Sequence, residues 1–210
     1  MIIKSIVNTH TCFMPVLKKN CEGLTDEDLV RESLQNIEYF TCLFERYEKK
    51  LIRYILRISS FLPEEANDIL QESFIKIWVN LNKFDSNLKF SSWAYRIVHN
   101  TVISEWKKSR SFGKDRNIKI DEEVFKNLPS EIDIIEKSYQ KDKIIMIREI
   151  LDSLPEKYKN VLVLKFLEGK NYNEISDILK KPLGTIATLI HRAKKAFRKE
   201  ADKKDISFNL

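Results

Sequence analysis

Apolar residues recur at three- and four-residue steps over most of this chain, and that period constrains its fold more than any other feature. From Asp26 to Ser60 the series is Leu34, Ile37, Phe40, Phe44, Tyr47, Leu51, Ile55 and Ile58. Such spacing lays one apolar stripe along a long helix or a helix pair. Pro63-Glu64-Glu65 reads as a fresh helix start, because Pro fits the first turn and acids there meet the positive end of the helix dipole. Ala66, Ile69, Leu70, Phe74, Ile77 and Leu81 then carry the period onward. Only 4 Gly and 5 Pro interrupt 210 residues, so tight turns are few and an all-α fold is expected.

The period breaks twice. Asn82 to Lys89 is polar and turn-like, and Ser91 or Ser92 is positioned to cap a third helix running to about Lys108. From Ser109 to Lys141 mixed charges, Ser-Arg-Ser-Phe-Gly and Leu-Pro-Ser abolish it, which predicts a linker with one short helix near Ile132–Tyr139. A second unit follows. Ile144, Ile147, Ile150, Leu151 and Leu154 mark one helix. Pro155 opens another, with Tyr158, Val161, Leu162 and Leu167 facing inward and Gly169 ending it. Asn171 and Glu174 have capping-box spacing ahead of Ile175, Ile178 and Leu179. Pro182 and Gly184 read as a turn before a last helix over about Thr185–Lys199. The expected division is 1–23 as a disordered leader or a start called too early (Met14 being one later start), 24–110 and 142–202 as folded units, 111–141 as linker and 203–210 as tail.

Composition narrows the function classes. The net charge of +6 suits a polyanion partner, without requiring one. Three cysteines, Cys12, Cys21 and Cys42, form no CxxC pair, which argues against a disulfide framework and fits a reducing cytoplasm. His10, Cys12 and Cys21 match no zinc spacing and lack a fourth ligand, so neither metal nor cofactor is expected. No run of 18 apolar residues predicts a membrane span. Nothing resembles a nucleophile–base pair or a phosphate-binding Gly loop, and no enzymatic activity is expected.

The last helix is the most informative segment. Ile186, Ile190, Ala193 and Phe197 are spaced 4, 3 and 4 and share one face. Polar and basic residues fill the remainder. A short helix, a Pro/Gly turn and such a helix make a helix-turn-helix, whose second helix enters the major groove. Thr185, Thr188 and His191 are the base-edge candidates; Arg192, Lys194, Lys195 and Arg198 are the phosphate candidates. Leu154-Pro155-Glu156-Lys157-Tyr158, Val161, Leu164 to Gly169, Tyr172 to Ser176, Leu179, Gly184-Thr185-Ile186 and His191-Arg192-Ala193 resemble region 4 of the bacterial sigma-70 family. The resemblance implies binding to the promoter −35 element and contact with the β flap of RNA polymerase. Ala187, Thr188 and Leu189 depart from it: the family usually has a basic residue, a small polar residue and an arginine there.

The first unit resembles the same family. Asp68-Ile69-Leu70-Gln71-Glu72-Ser73-Phe74, with Ile77-Trp78, is similar to sigma region 2.2. Asp68, Gln71, Glu72 and Ile75 fall on one helix face, which the resemblance implies binds the β′ clamp helices of core RNA polymerase. Phe90 to Asn100 resembles regions 2.3 and 2.4, which hold the opened −10 strand. Rings and cations suit that task, since aromatic faces restore about 1–3 kcal/mol per unstacked base while cations hold the backbone. Trp93, Arg96, Asn100, Lys107, Lys108 and Arg110 are the −10 candidates, with Asn100 matching the amide that lines a flipped-base pocket. A Trp near a helix start is more often core than platform, and both readings of Trp93 stand.

Together these features identify the chain as similar to the extracytoplasmic-function (ECF) branch. That implies two helical domains, a region 2 bundle and a region 4 helix-turn-helix on a flexible linker, directing RNA polymerase to specific promoter DNA and assisting melting. It also implies an anti-sigma partner, membrane-bound in one form, with no membrane insertion by this chain. The competing readings are a helix-turn-helix regulator that works without polymerase and a metal-dependent nuclease.

Overall fold

The structure is a computed structural model that describes residues 21–111 and 141–204. The expected leader up to residue 20, nearly all of the linker with its short helix, and the tail from 205 lie outside the described residues. The chain divides into two compact units, Met1–Ile118 and Lys119–Leu210. Among the described residues every regular element is helical, as the period predicts.

The first unit comprises α1 (Asp26–Gln35), α2 (Glu38–Ile58), α3 (Pro63–Val79), a 3₁₀ turn (Leu81–Lys83) and α4 (Phe90–Ser111). The first apolar stripe is thus a helix pair. Thr25 and Asp28 form a capping box that starts α1. The Asn36 side chain accepts a hydrogen bond from Glu38 N at 2.9 Å and starts α2. Pro63 does open α3, with Glu65 accepting from Leu62 N at 3.0 Å. Leu70, Phe74, Ile77 and Leu81 are all buried, as their spacing requires. Phe74 meets Phe44 with ring centroids 4.5 Å apart, and Phe40 meets Trp78 at 5.0 Å.

One expectation about the cysteines fails. Cys21 and Cys42 are joined by a disulfide across a separation of 21 residues, with Cα atoms 6.4 Å apart. Scattered cysteines meet here because α1 packs back along α2, bringing the segment before α1 beside the first turns of α2. Spacing along a chain does not register such a return.

The second unit comprises α5 (Lys141–Ser153), α6 (Glu156–Leu162), a π turn (Val163–Leu167), α7 (Tyr172–Leu179) and α8 (Leu183–Asp202). Asn171 and Glu174 form both halves of the expected capping box. Gly169 sits at φ +63° and ends the preceding helix. Leu167 was expected inside, but the π turn widens the helix by one residue and leaves it 40% exposed. The reading of Gly184 as a turn residue is also corrected. Pro182 is the N-cap, Gly184 lies within the first turn of α8, and the left-handed turn residue is Lys180 at φ 51°.

Candidate nucleic-acid interface

In the second unit, Ile186, Ile190, Ala193 and Phe197 bury one face of α8 against the core. That burial forces the rest of the helix outward. Thr185, Thr188, His191, Arg192, Lys195 and Arg198 are all exposed. Thr188 donates its hydroxyl to Gly184 O at 2.9 Å, so the oxygen presents only lone pairs outward. Lys194 differs from the other cations. It flanks the buried stripe, is half-buried, and holds its ammonium 5.8 Å from the Phe166 ring centroid. The structure thus brings six of the seven expected −35 residues onto one open face and turns the seventh toward the π turn.

A buried charge stiffens this unit. Lys159 is 7% exposed and donates to Asp152 at 2.6 Å, with Arg148 3.7 Å from the same carboxylate. Burial holds the Arg148 guanidinium below its ordinary pKa, with Asp152 opposing that shift. This pairing joins the end of α5 to the first turns of α6.

In the first unit, α4 carries the −10 candidates. It starts at Phe90, earlier than a Ser91 or Ser92 cap requires. Lys89 is therefore at the N-cap position, with Trp93 N donating to Lys89 O at 3.2 Å. Ser92 Oγ is buried with no hydrogen-bond partner among the described residues. The Phe90 amide is satisfied from elsewhere: it donates to Glu27 Oε1 of α1 at 3.2 Å.

Trp93 is 7% exposed and packs on Phe84 and Phe90, with ring centroids 5.3 and 5.9 Å away. Its ring is packed in the core of the free chain, the first of the two readings held for it. Tyr95 is 2% exposed and lies 5.0 Å from the Tyr54 ring. Arg96 is half-buried, while Asn100 and Lys107 are exposed. Four and seven residues apart, these three share one stripe of α4. Lys108 points to the side. It binds Glu105 at 2.5 Å and lies within the field of Glu72 on α3, and both raise its pKa, the Glu105 hydrogen bond foremost. The side chain of Arg110 lies outside the described residues.

His99, next to Asn100 in sequence, faces the core, where its Nδ1 lies 2.9 Å from the Tyr54 hydroxyl. Burial lowers the His99 pKa to about 4, so the imidazole is neutral at pH 7.

On α3, Asp68 is exposed and Gln71, Glu72 and Ile75 are half-buried along one face. Sequence reading missed Val79, which extends this face at i+4 from Ile75 and is 62% exposed. It also missed a bridge between the two surfaces. Glu72 pairs with Lys76 at 2.8 Å, and Lys76 Nζ donates to Thr101 Oγ1 of α4 at 3.2 Å. The i,i+4 spacing of Glu72 and Lys76 was the available signal.

Among the described residues, no three His, Cys, Asp or Glu side chains converge on a metal-sized position, and no helix is long and apolar enough to cross a membrane.

Comparison with known proteins gives consistent matches. Residues 43–112 match the sigma-70 region 2 family model and residues 144–197 match sigma-70 region 4. The chain is 33% identical over 170 residues to the ECF RNA polymerase sigma factor SigW of Bacillus subtilis, covering 77% of this chain and 88% of that protein. In fold it is similar to CnrH, solved in complex with the cytosolic domain of CnrY (TM-score 0.61, 18% identity, 85% of this chain and 97% of that one). It is also similar to the sigma factor RpoE, solved in complex with the anti-sigma factor NepR from Bartonella quintana (TM-score 0.58, 18% identity, 76% and 94%).

Proposed function

We propose, from the premise that this chain belongs to the sigma-70 family in its ECF branch and directs RNA polymerase in transcription initiation, that its two units hold two separate parts of one promoter. In the first unit, Asp68, Gln71, Glu72, Ile75 and Val79 form the face that docks on the β′ clamp helices. Arg96, Asn100 and Lys107 take the opened −10 strand, with Lys108 on the flank and Arg110 as a further cation for the backbone. In the second unit, Thr185, Thr188 and His191 meet −35 base edges while Arg192, Lys195 and Arg198 hold phosphates. Phe166 and Leu167, exposed at the π turn, offer an apolar landing for the β flap.

The observation that carries this reading is the Arg96–Asn100–Lys107 stripe. A cation, an amide and a second cation stand on one side of a helix whose other side is locked by Tyr54, Tyr95 and His99. Duplex opening needs such a rigid acceptor surface, because the strand must be captured faster than it re-pairs. The chain itself makes and breaks no bond in this role; the polymerase supplies the chemistry. It acts in the cytoplasm, where polymerase and chromosome are. An anti-sigma protein covers one or both surfaces when transcription is not required, a reading supported by the NepR complex of a protein with the same fold.

Run-off transcription tests the whole. Core polymerase plus this chain should start RNA at defined sites on genomic fragments, and the chain should co-purify with core. A chain that binds promoter duplex yet never associates with core would instead be a polymerase-independent regulator.

A further inference from the structure

We infer that Glu27 is a positioning residue for −10 strand capture, acting by capping α4 from another helix. The inference rests on the −10 role proposed above for α4. The first backbone amides of any helix have no partner inside it, and an acceptor at the N-cap normally takes one. At this helix the N-cap is Lys89, whose side chain donates and does not accept. Glu27 Oε1 takes the Phe90 amide instead, from 63 residues away in sequence. A carboxylate there also opposes the positive end of the helix dipole.

The cap is only as well placed as α1, and α1 is held firmly. The neighbouring Asp26 binds Arg46 at 2.6 Å and also accepts from the Tyr47 hydroxyl. Arg46 additionally donates to Leu24 O at 3.2 Å. The Tyr47 ring meets the Phe90 ring edge-on at 5.3 Å. Two adjacent acids of α1 therefore fix the start of α4, one through its backbone and one through the ring beneath Phe90. Both acids lie before residue 43, where the match to the region 2 model begins. The register and tilt of the Arg96–Asn100–Lys107 stripe are thereby set by a helix outside that segment.

The test uses the full chain, alone and assembled with core polymerase. Amide hydrogen exchange at Phe90 in the free chain reads the cap directly. Glu27→Ala should speed it and Glu27→Gln, which keeps an acceptor, should speed it less. In holoenzyme, Glu27→Ala should lower the open-complex fraction, followed by fluorescence of 2-aminopurine in the −10 strand, about fivefold. Its affinity for core should stay within about twofold of the parent, which a generally unfolded unit would not permit. Adding Lys89→Ser, whose hydroxyl caps the Ser91 or Ser92 amide in the same first turn, to Glu27→Ala should restore opening while leaving Phe90 exchange fast. Unchanged Phe90 exchange in Glu27→Ala overturns the cap. Parallel loss of core affinity and opening, or opening unaffected while the parent opens normally, overturns the positioning role. A parent holoenzyme that opens no promoter, with Phe90 exchange still responding, instead overturns the −10 reading and with it the positioning role, while the cap stands.

Discussion

Tyr54 on α2 and His99 on α4 are 45 residues apart in sequence and share one hydrogen bond of 2.9 Å between the hydroxyl and Nδ1. His99 directly precedes the exposed Asn100 on α4 and faces the core, where burial keeps its imidazole neutral.

That neutrality has a pH cost. The His99 pKa is about 4 in the folded chain against 6.5 for a free imidazole, with burial the cause. The unfolded state therefore binds the proton first. Stability from this group is fully present above about pH 6.5 and is lost as pH falls toward 4, by up to about 3 kcal/mol. Urea unfolding of the first unit between pH 7 and 5 should show the loss, and His99→Gln should flatten it. An equal slope in the variant would place the titration elsewhere.

Asp152 should matter more than its exposure suggests. Removing it by Asp152→Ala leaves the ammonium of Lys159, a residue only 7% exposed, without its 2.6 Å partner. The expected loss is about 1–3 kcal/mol, reduced from fully buried pairs because half of Asp152 is in water. Lys159→Met, which removes the charge and keeps the volume, should cost about 1 kcal/mol or less. Chemical denaturation monitored by far-UV circular dichroism separates the two; an equal cost would refute the pairing account.

On the −35 duplex, Arg192→Ala with Lys195→Ala should weaken binding at every sequence and reduce the magnitude of the salt slope by about 2. Lys194→Ala should change the slope less, since that ammonium is engaged with Phe166. Fluorescence anisotropy across a salt series measures both. Identical slopes in parent and double variant would remove these cations from the phosphate contacts.

Asn100→Ala should impair open-complex formation while leaving core affinity within about twofold. Filter binding for core and permanganate footprinting for the opened strand make the comparison. Loss of both together would give the amide a different job.

The helical period made most of the architecture legible. Ile186, Ile190, Ala193 and Phe197 are buried as their spacing requires, and the Asn171–Glu174 capping box is present. What was missed depended on contacts between elements distant in sequence. Ser91 and Ser92 looked like caps because local sequence cannot reveal Glu27, 63 residues upstream of Phe90. Trp93 faces the core because Phe84, in the turn region before α4, supplies a ring for it. Leu167 obeys the α period on paper, but a π turn shifts every later side chain by one position. Lys76 and Thr101 were silent for the same reason as Glu27: their link joins two helices.

The Cys21–Cys42 bond closes a ring of chain around the whole of α1. A ring of that size removes enough freedom from the denatured chain to be worth about 3 kcal/mol on a chain-entropy account. While oxidised, α1 cannot wander from α2 even when its own hydrogen bonds break. With both sulfurs reduced, the helix that carries Glu27 is held by contacts that a local opening can break, among them the Asp26–Arg46 pair, the Tyr47 hydroxyl and the buried Leu29 and Val30.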